Sequence, residues 1–201
     1  MAEKKLNDLF LDTLKDIYFA ERQIIKNLPK MAKAAKSAEL KKAFLTHREQ
    51  TEQHIERLQE VFELIGRRAQ AKTCEAIKGI LEEGEEIMEE YSGSEALDAG
   101  LLAAAQALEH YEMSRYGTLK TWAGQLGLKD AVSLLDETFQ EEKETDALLS
   151  GLAESSVNQE DRLARLQPRK GACLSAAKSS RPKENHLLPG ASPDGPRGSC
   201  V

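Results

Sequence analysis

Apolar residues recur at steps of three and four through four long stretches, and the links between those stretches differ greatly in length. Leu6, Phe10, Leu14, Ile17, Ile24, Leu28 and Met31 mark the first stretch, over about residues 4–35. Pro29 is expected to kink or loosen its last turns, because proline removes one hydrogen bond and crowds the preceding turn. The second runs from Ser37, read as an N-cap, to about Gly66, with Leu40, Phe44, Leu58, Val61, Phe62 and Ile65 on one face. A shorter stretch from Thr73 to Tyr91 carries Ile77, Ile80, Leu81 and Ile87, and "YSGS" at 91–94 closes it. The fourth follows Ser94 to about Leu126, and the last runs from about Asp130 to Ser156.

The four long stretches, at about 1.5 Å per residue, each predict a helix of roughly 40–48 Å, and helices of matched length predict a bundle. The first two are separated by a few residues, so they must be antiparallel neighbours; the last two, joined around Gly127, must be as well. Between residues 66 and 95 the chain is long enough, with its own short helix, to travel the length of the bundle. The helices on either side of it can then lie parallel. Two antiparallel hairpins joined by one long crossover make an all-α, ferritin-like four-helix bundle.

Composition separates this body from the C-terminal segment. Five of the six prolines lie beyond residue 167. Residues 159–201 lack aromatic residues and a sustained apolar period, and are rich in Pro, Gly, Ser and basic side chains. Such a segment buries too little apolar area to offset the entropy of ordering, so the expectation is a bundle over 4–158 and a disordered tail over 159–201. The net charge of −6 splits into +4 on the tail and −10 on the body, and an acidic body argues against a nucleic-acid surface. Cys74, Cys173 and Cys200 form neither a zinc pattern nor a disulfide framework. "MAEKKLNDLF" has no signal-peptide apolar run, and "LLAAAQAL" is too short to span a bilayer. The expectation is a cytoplasmic protein with no membrane contact.

Ionisable side chains inside the apolar stripes carry the functional information. Glu21 stands between Ile17 and Ile24 on the first helix. The second helix places His47, Gln50 or Thr51, and His54 between Phe44 and Leu58. The fourth segment gives Glu109, Glu112 and Tyr116, and the last gives Glu142, with Asp146 one turn on. Glu141 fits an alternative register of the last stripe. A single such residue is ordinarily a rim carboxylate or a hydrogen-bonded core histidine. Four helices doing the same near their middles is a different matter, because clustered buried carboxylates repel one another and lose hydration. A pair of divalent ions supplies the missing compensation, and di-iron and di-manganese bundles use this donor set. Tyr111, Tyr116 and Trp122 read as core packing, and Cys74 as a small buried residue.

The stretches "HREQTEQHIERLQEVFELIG", "AAAQALEHYEMSRYGTLKTWAGQLG" and "LLDETFQEEKETDALLSGLAE" resemble the YciE/YciF family of bacterial ferritin-like proteins. So do "LKDIYFAERQIIKNLPKMAKAAKSAELKKAF" and "KTCEAIKGILEEG", and the likeness covers about residues 5–158. The resemblance implies a dimeric ferritin-like bundle, a di-metal site and an association with stress responses. Carried over by position, it implies a ligand set of Glu21, His47, Gln50, Glu109, Glu112 and Glu142, with Asp146 close by. The position of Gln50 is commonly Glu in that family, and a neutral amide bridges two ions poorly, which implies weaker or single-ion loading. His54 is a second imidazole candidate. It lies about 10 Å along the axis from His47, whereas paired ions are only about 3.5–4 Å apart. That spacing speaks against both rings serving one centre, and the family pattern H-x-x-[EQ]-T favours His47.

Two functions stand as expectations. One is a stress-response protein with a dinuclear iron or manganese site that handles peroxide or dioxygen, active as a homodimer. The other is a non-catalytic helical dimer that acts structurally or by binding a partner. Mineral storage is weaker, because nothing in the sequence indicates a shell.

Overall fold

The structure is a computed structural model, and it describes residues 3–157. Five α-helices follow in order: α1 (Leu6–Ala34), α2 (Ala38–Leu64), α3 (Glu75–Glu90), α4 (Leu97–Gln125) and α5 (Lys129–Leu152). A π-helical turn, Ala153–Val157, extends α5. The expected disordered tail lies outside the described residues.

Capping explains where the helices stop. Ser37 Oγ accepts from the Leu40 amide at 3.3 Å and starts α2 as its N-cap. At the other end, Arg67 N donates to Phe62 O at 2.9 Å and Gly66 N to Glu63 O at 2.9 Å. This closure needs a left-handed residue, and Gly66 supplies it with φ +66°. The α4–α5 turn repeats the device: Gly127 has φ +75°, and Leu128 N reaches Ala123 O at 2.9 Å. The helix α1 runs through Pro29 to Ala34 without a break. Buried Leu28, Met31 and Ala32 on either side of the proline hold those turns on the core, so tertiary packing offsets the lost hydrogen bond.

The hairpins α1–α2 and α4–α5 pack side by side, with α2 along α5 and α1 along α4, while α3 lies on α4 and touches α1. Side-chain pairs give the directions. Arg57 of α2 meets Glu137 and Glu141 of α5, and Lys36, after α1, meets Gly93 and Ser94 before α4. The chain therefore descends in both α2 and α4, and the crossover with α3 returns it to the far end, as the link lengths predict. Asp98 in the first turn of α4 locks the α1–α2 corner: its carboxylate accepts the amides of Lys36 at 2.7 Å and Ser37 at 2.6 Å. Phe10, Leu14, Ile17, Ile24, Phe44, Leu58, Phe62, Leu101, Leu119 and Leu135 fill the core. None of the described helices is long and apolar enough to cross a membrane.

Candidate metal centre

The middle of this core is polar. Glu21 from α1, His47 and His54 from α2, Glu109 and Glu112 from α4 and Glu142 from α5 are each at most 3% exposed. Each occupies a stripe position one or two turns from large apolar residues, so helix packing drives it inward.

The six side chains form two groups. His47, Glu109, Glu112 and Glu142 make one, Glu21, His54 and Glu142 the other; within each, one ligand-capable atom per residue lies within 4.8 Å of the rest. In the first, His47 Nε2 is 3.3 Å from Glu109 Oε1 and 3.9 Å from Glu112 Oε2. In the second, His54 Nδ1 is 3.0 Å from Glu142 Oε1 and 3.7 Å from Glu21 Oε1. Glu142 belongs to both, since its other oxygen lies 3.9 Å from His47 Nδ1. The two rings approach to 6.2 Å between centroids, closer than the axial rise of their backbones, and each falls in a different group.

Other sequence candidates fall elsewhere. Gln50 is half-buried, one turn from His47, and its amide adjoins that ring and favours the ring's charged form. Asp146 faces outward between α4 and α5, where Gln106 Nε2 donates to it at 3.1 Å and His110 Nε2 stands 3.3 Å away. Glu141, the alternative register, sits beside the centre: Arg57 clamps it with two nitrogens, at 2.6 and 2.9 Å, and it lies 2.9 Å from His54 Nε2. Tyr116 is buried, as core packing requires, but it also donates its hydroxyl to Glu21, a role the stripe pattern alone does not carry. Tyr111 instead pairs with Cys74, whose Sγ lies 3.1 Å from the phenol oxygen; Cys74 is buried as expected.

The charge state follows from burial. Burial first, then Glu142 nearby, pushes Glu109 and Glu112 well above the carboxylate range. Burial pushes Glu21 up to about 7, with His54 resisting. Burial would also raise Glu142, but the adjoining His54 outweighs it and holds Glu142 below the ordinary value. His47 is lowered by burial. For His54 burial acts downward too, yet Glu141 and Glu142 together raise it to about 10.

Nine polar atoms of these six side chains are shut off from water and make no well-aligned hydrogen bond, although His54 Nδ1 and Glu142 Oε1 among them stand 3.0 Å apart: Glu21 Oε2, both nitrogens of His47, His54 Nδ1, Glu109 Oε2, and both oxygens of Glu112 and Glu142. At about 1–3 kcal/mol for each unsatisfied buried group, such a set would consume much of the roughly 5–15 kcal/mol by which a domain is stable. Carboxylate oxygens and imidazole nitrogens aimed into a common space are the donors that divalent iron and manganese accept. The residues present therefore fit a metal ion.

Comparisons with known proteins agree with this architecture. Escherichia coli (strain K12) YciF is 43% identical over 159 residues, spanning 79% of this chain and 96% of the relative. The crystal structure of that E. coli stress protein superposes with a TM-score of 0.75 at 42% identity, over 78% of this chain and 99% of the other. YcfI of Rhodopseudomonas palustris, described as a proposed structural protein, gives a TM-score of 0.72 at 42% identity, over 73% and 94% of the two chains. A Xanthomonas campestris protein shares the fold at 20% identity with a TM-score of 0.61, over 81% of this chain and all of that one. Residues 5–162 match the family described as Domain of unknown function (DUF892), and the chain belongs to that family together with YciF.

Proposed function

We propose that this protein is a stress-associated, ferritin-like metalloprotein whose buried centre holds two iron or manganese ions and reacts with a small oxidant. The observation that carries the reading is Glu142, one carboxylate facing two His/Glu groups whose inward atoms otherwise lack partners. His47, Glu109, Glu112 and Glu142 would hold one ion, and Glu21, His54 and Glu142 the other. Bound there, the pair supplies electron exchange with peroxide or dioxygen. Gln50 and Asp146 stand outside this assignment.

The chain's own residues limit what can react. Side chains so fully buried exclude bulky substrates. Tyr116, donating to Glu21, fixes that carboxylate's orientation. The E. coli relative's description as a stress protein supports the physiological setting. A free, buried Cys74 accords with a cytoplasmic location, and the family resemblance favours a homodimer. YcfI's description as a structural protein favours a second reading, a non-catalytic bundle in which protons replace the ions.

Stopped-flow mixing separates the two. Chain loaded anaerobically with Fe(II) is mixed with peroxide or oxygenated buffer, and oxidation is followed optically. Oxidation faster than that of the free ion, and lost in Glu142→Ala, is expected. Rates equal to the free ion would leave the structural reading.

A further inference from the structure

The two imidazoles of the centre are held differently. Both ring nitrogens of His47 are without hydrogen-bond partners. His54 presents Nδ1 to Glu142 and Glu21, while its Nε2 lies 2.9 Å from Glu141 Oε2. Glu141 is itself braced. Arg57 donates through both terminal nitrogens, at 2.6 Å to one oxygen and 2.9 Å to the other, and is anchored in turn by Glu137 at 2.7 Å and Thr138 at 3.3 Å. Such a fork fixes the plane of a carboxylate as well as its position.

We propose that Glu141, clamped by Arg57, is a positioning residue that keeps the proton of His54 on Nε2 and leaves Nδ1 to the Glu21/Glu142 group, making the two halves of the centre inequivalent. An imidazole that gives one nitrogen to a carboxylate has its tautomer and ring plane set before a ligand arrives at the other nitrogen. His47 has no carboxylate brace of this kind; the polar side chain beside it is the neutral amide of half-buried Gln50. The Arg57–Glu141 clamp thus braces a ring of the Glu21/His54/Glu142 half directly, and it reaches His47 only as a more distant charge. It also reaches the surface, since the Glu137 side chain is 58% exposed, so the support can be altered without touching an inward-facing residue.

The metal part of this inference rests on the proposed function, so its test has two arms. In the first, the full chain is titrated with Mn(II) and free ion is read by electron paramagnetic resonance. The expected result is that Glu141→Ala weakens one of two binding steps about 10–100-fold and spares the other. Glu141→Gln, which keeps an acceptor, should lose less, and Arg57→Gln should weaken the same step. Equal weakening of both steps, or of neither, overturns the proposal. In the second arm, proton–nitrogen NMR of metal-free chain follows the His54 ring Nε2–H, assigned to His54 by its loss in His54→Gln and to Nε2 by that nitrogen's coupling to both carbon-bound ring protons. Slow exchange of that proton in the wild type, and fast exchange in Glu141→Ala and Arg57→Gln, supports the positioning role; fast exchange in the wild type overturns it. Should the wild type take up no Mn(II), the proposed function fails and this second arm alone decides the inference.

Discussion

Glu142 Oε1 stands 3.0 Å from His54 Nδ1, although the two come from helices separated by the whole crossover and both are buried. The same carboxylate also faces His47, so it is the only one of the six side chains common to both groups. Removing it should disable both groups, whereas removing Glu109 should disable one. Mn(II) titration of Glu142→Ala is expected to show both steps weakened at least tenfold, and Glu109→Ala only one. Two intact steps in Glu142→Ala would show that the groups do not share it.

The metal-free centre should make stability depend on pH in a definite direction. Burial raises Glu21 to about 7 and holds Glu109 and Glu112 well above 4.5. A carboxyl raised in the folded state stabilises fully below its unfolded value and loses that share as pH climbs through the folded value. His54, raised to about 10, acts in the same sense above pH 6.5. His47, lowered by burial, opposes them only near and below 6.5. Glu141 and Glu142, both lowered, are already ionised above pH 5 in either state. Chelator-treated protein should therefore melt several degrees lower at pH 8 than at pH 5, and added Fe(II) or Mn(II) should raise Tm more at pH 8, where the ligands ionise more readily. A metal-free Tm that is flat or rises over this range would contradict the clustered carboxyls.

The bundle's topology is legible in the sequence because hydrophobic period and link length are local properties. Glu21, Glu109, Glu112 and Glu142 can be found for the same reason: each interrupts an apolar stripe on its own helix. What escapes depends on how helices are rotated against one another. Glu141 is adjacent to the stripe, and only the approach of α2 to α5 brings it to His54 and Arg57. Axial rise along one helix sets the two histidines apart, and it says nothing of side chains leaning toward each other. Asp98 reads as an ordinary first-turn acid, yet it accepts two amides from the α1–α2 corner.

That corner yields a stability prediction. Two backbone amides at 2.6 and 2.7 Å lose their carboxylate acceptor in Asp98→Ala. The expected loss is about 2–3 kcal/mol by urea unfolding, from hydrogen bonds to a charged acceptor. A change below about 0.5 kcal/mol would mean that water replaces the clamp.

Two glycines should respond in opposite directions. A Cβ at Gly100 would lie 2.7 Å from Ile87 Cγ2, where α4 meets α3, whereas one at Gly79 on α3 meets nothing within 4 Å. Gly79→Ala should stabilise by about 0.5–1 kcal/mol through helix propensity. Gly100→Ala should destabilise, because overpacking costs about 1–3 kcal/mol and exceeds that gain. Urea unfolding of both variants reads the signs directly, and stabilisation by Gly100→Ala would show that α3 yields easily.

The most direct test of the centre is elemental analysis of the full chain purified without chelator, then given Fe(II) or Mn(II) anaerobically and freed of unbound ion. About two ions per chain are predicted, falling to near none in the Glu21→Ala, Glu109→Ala double variant. A wild-type chain that stays empty after such loading would contradict the metal centre outright.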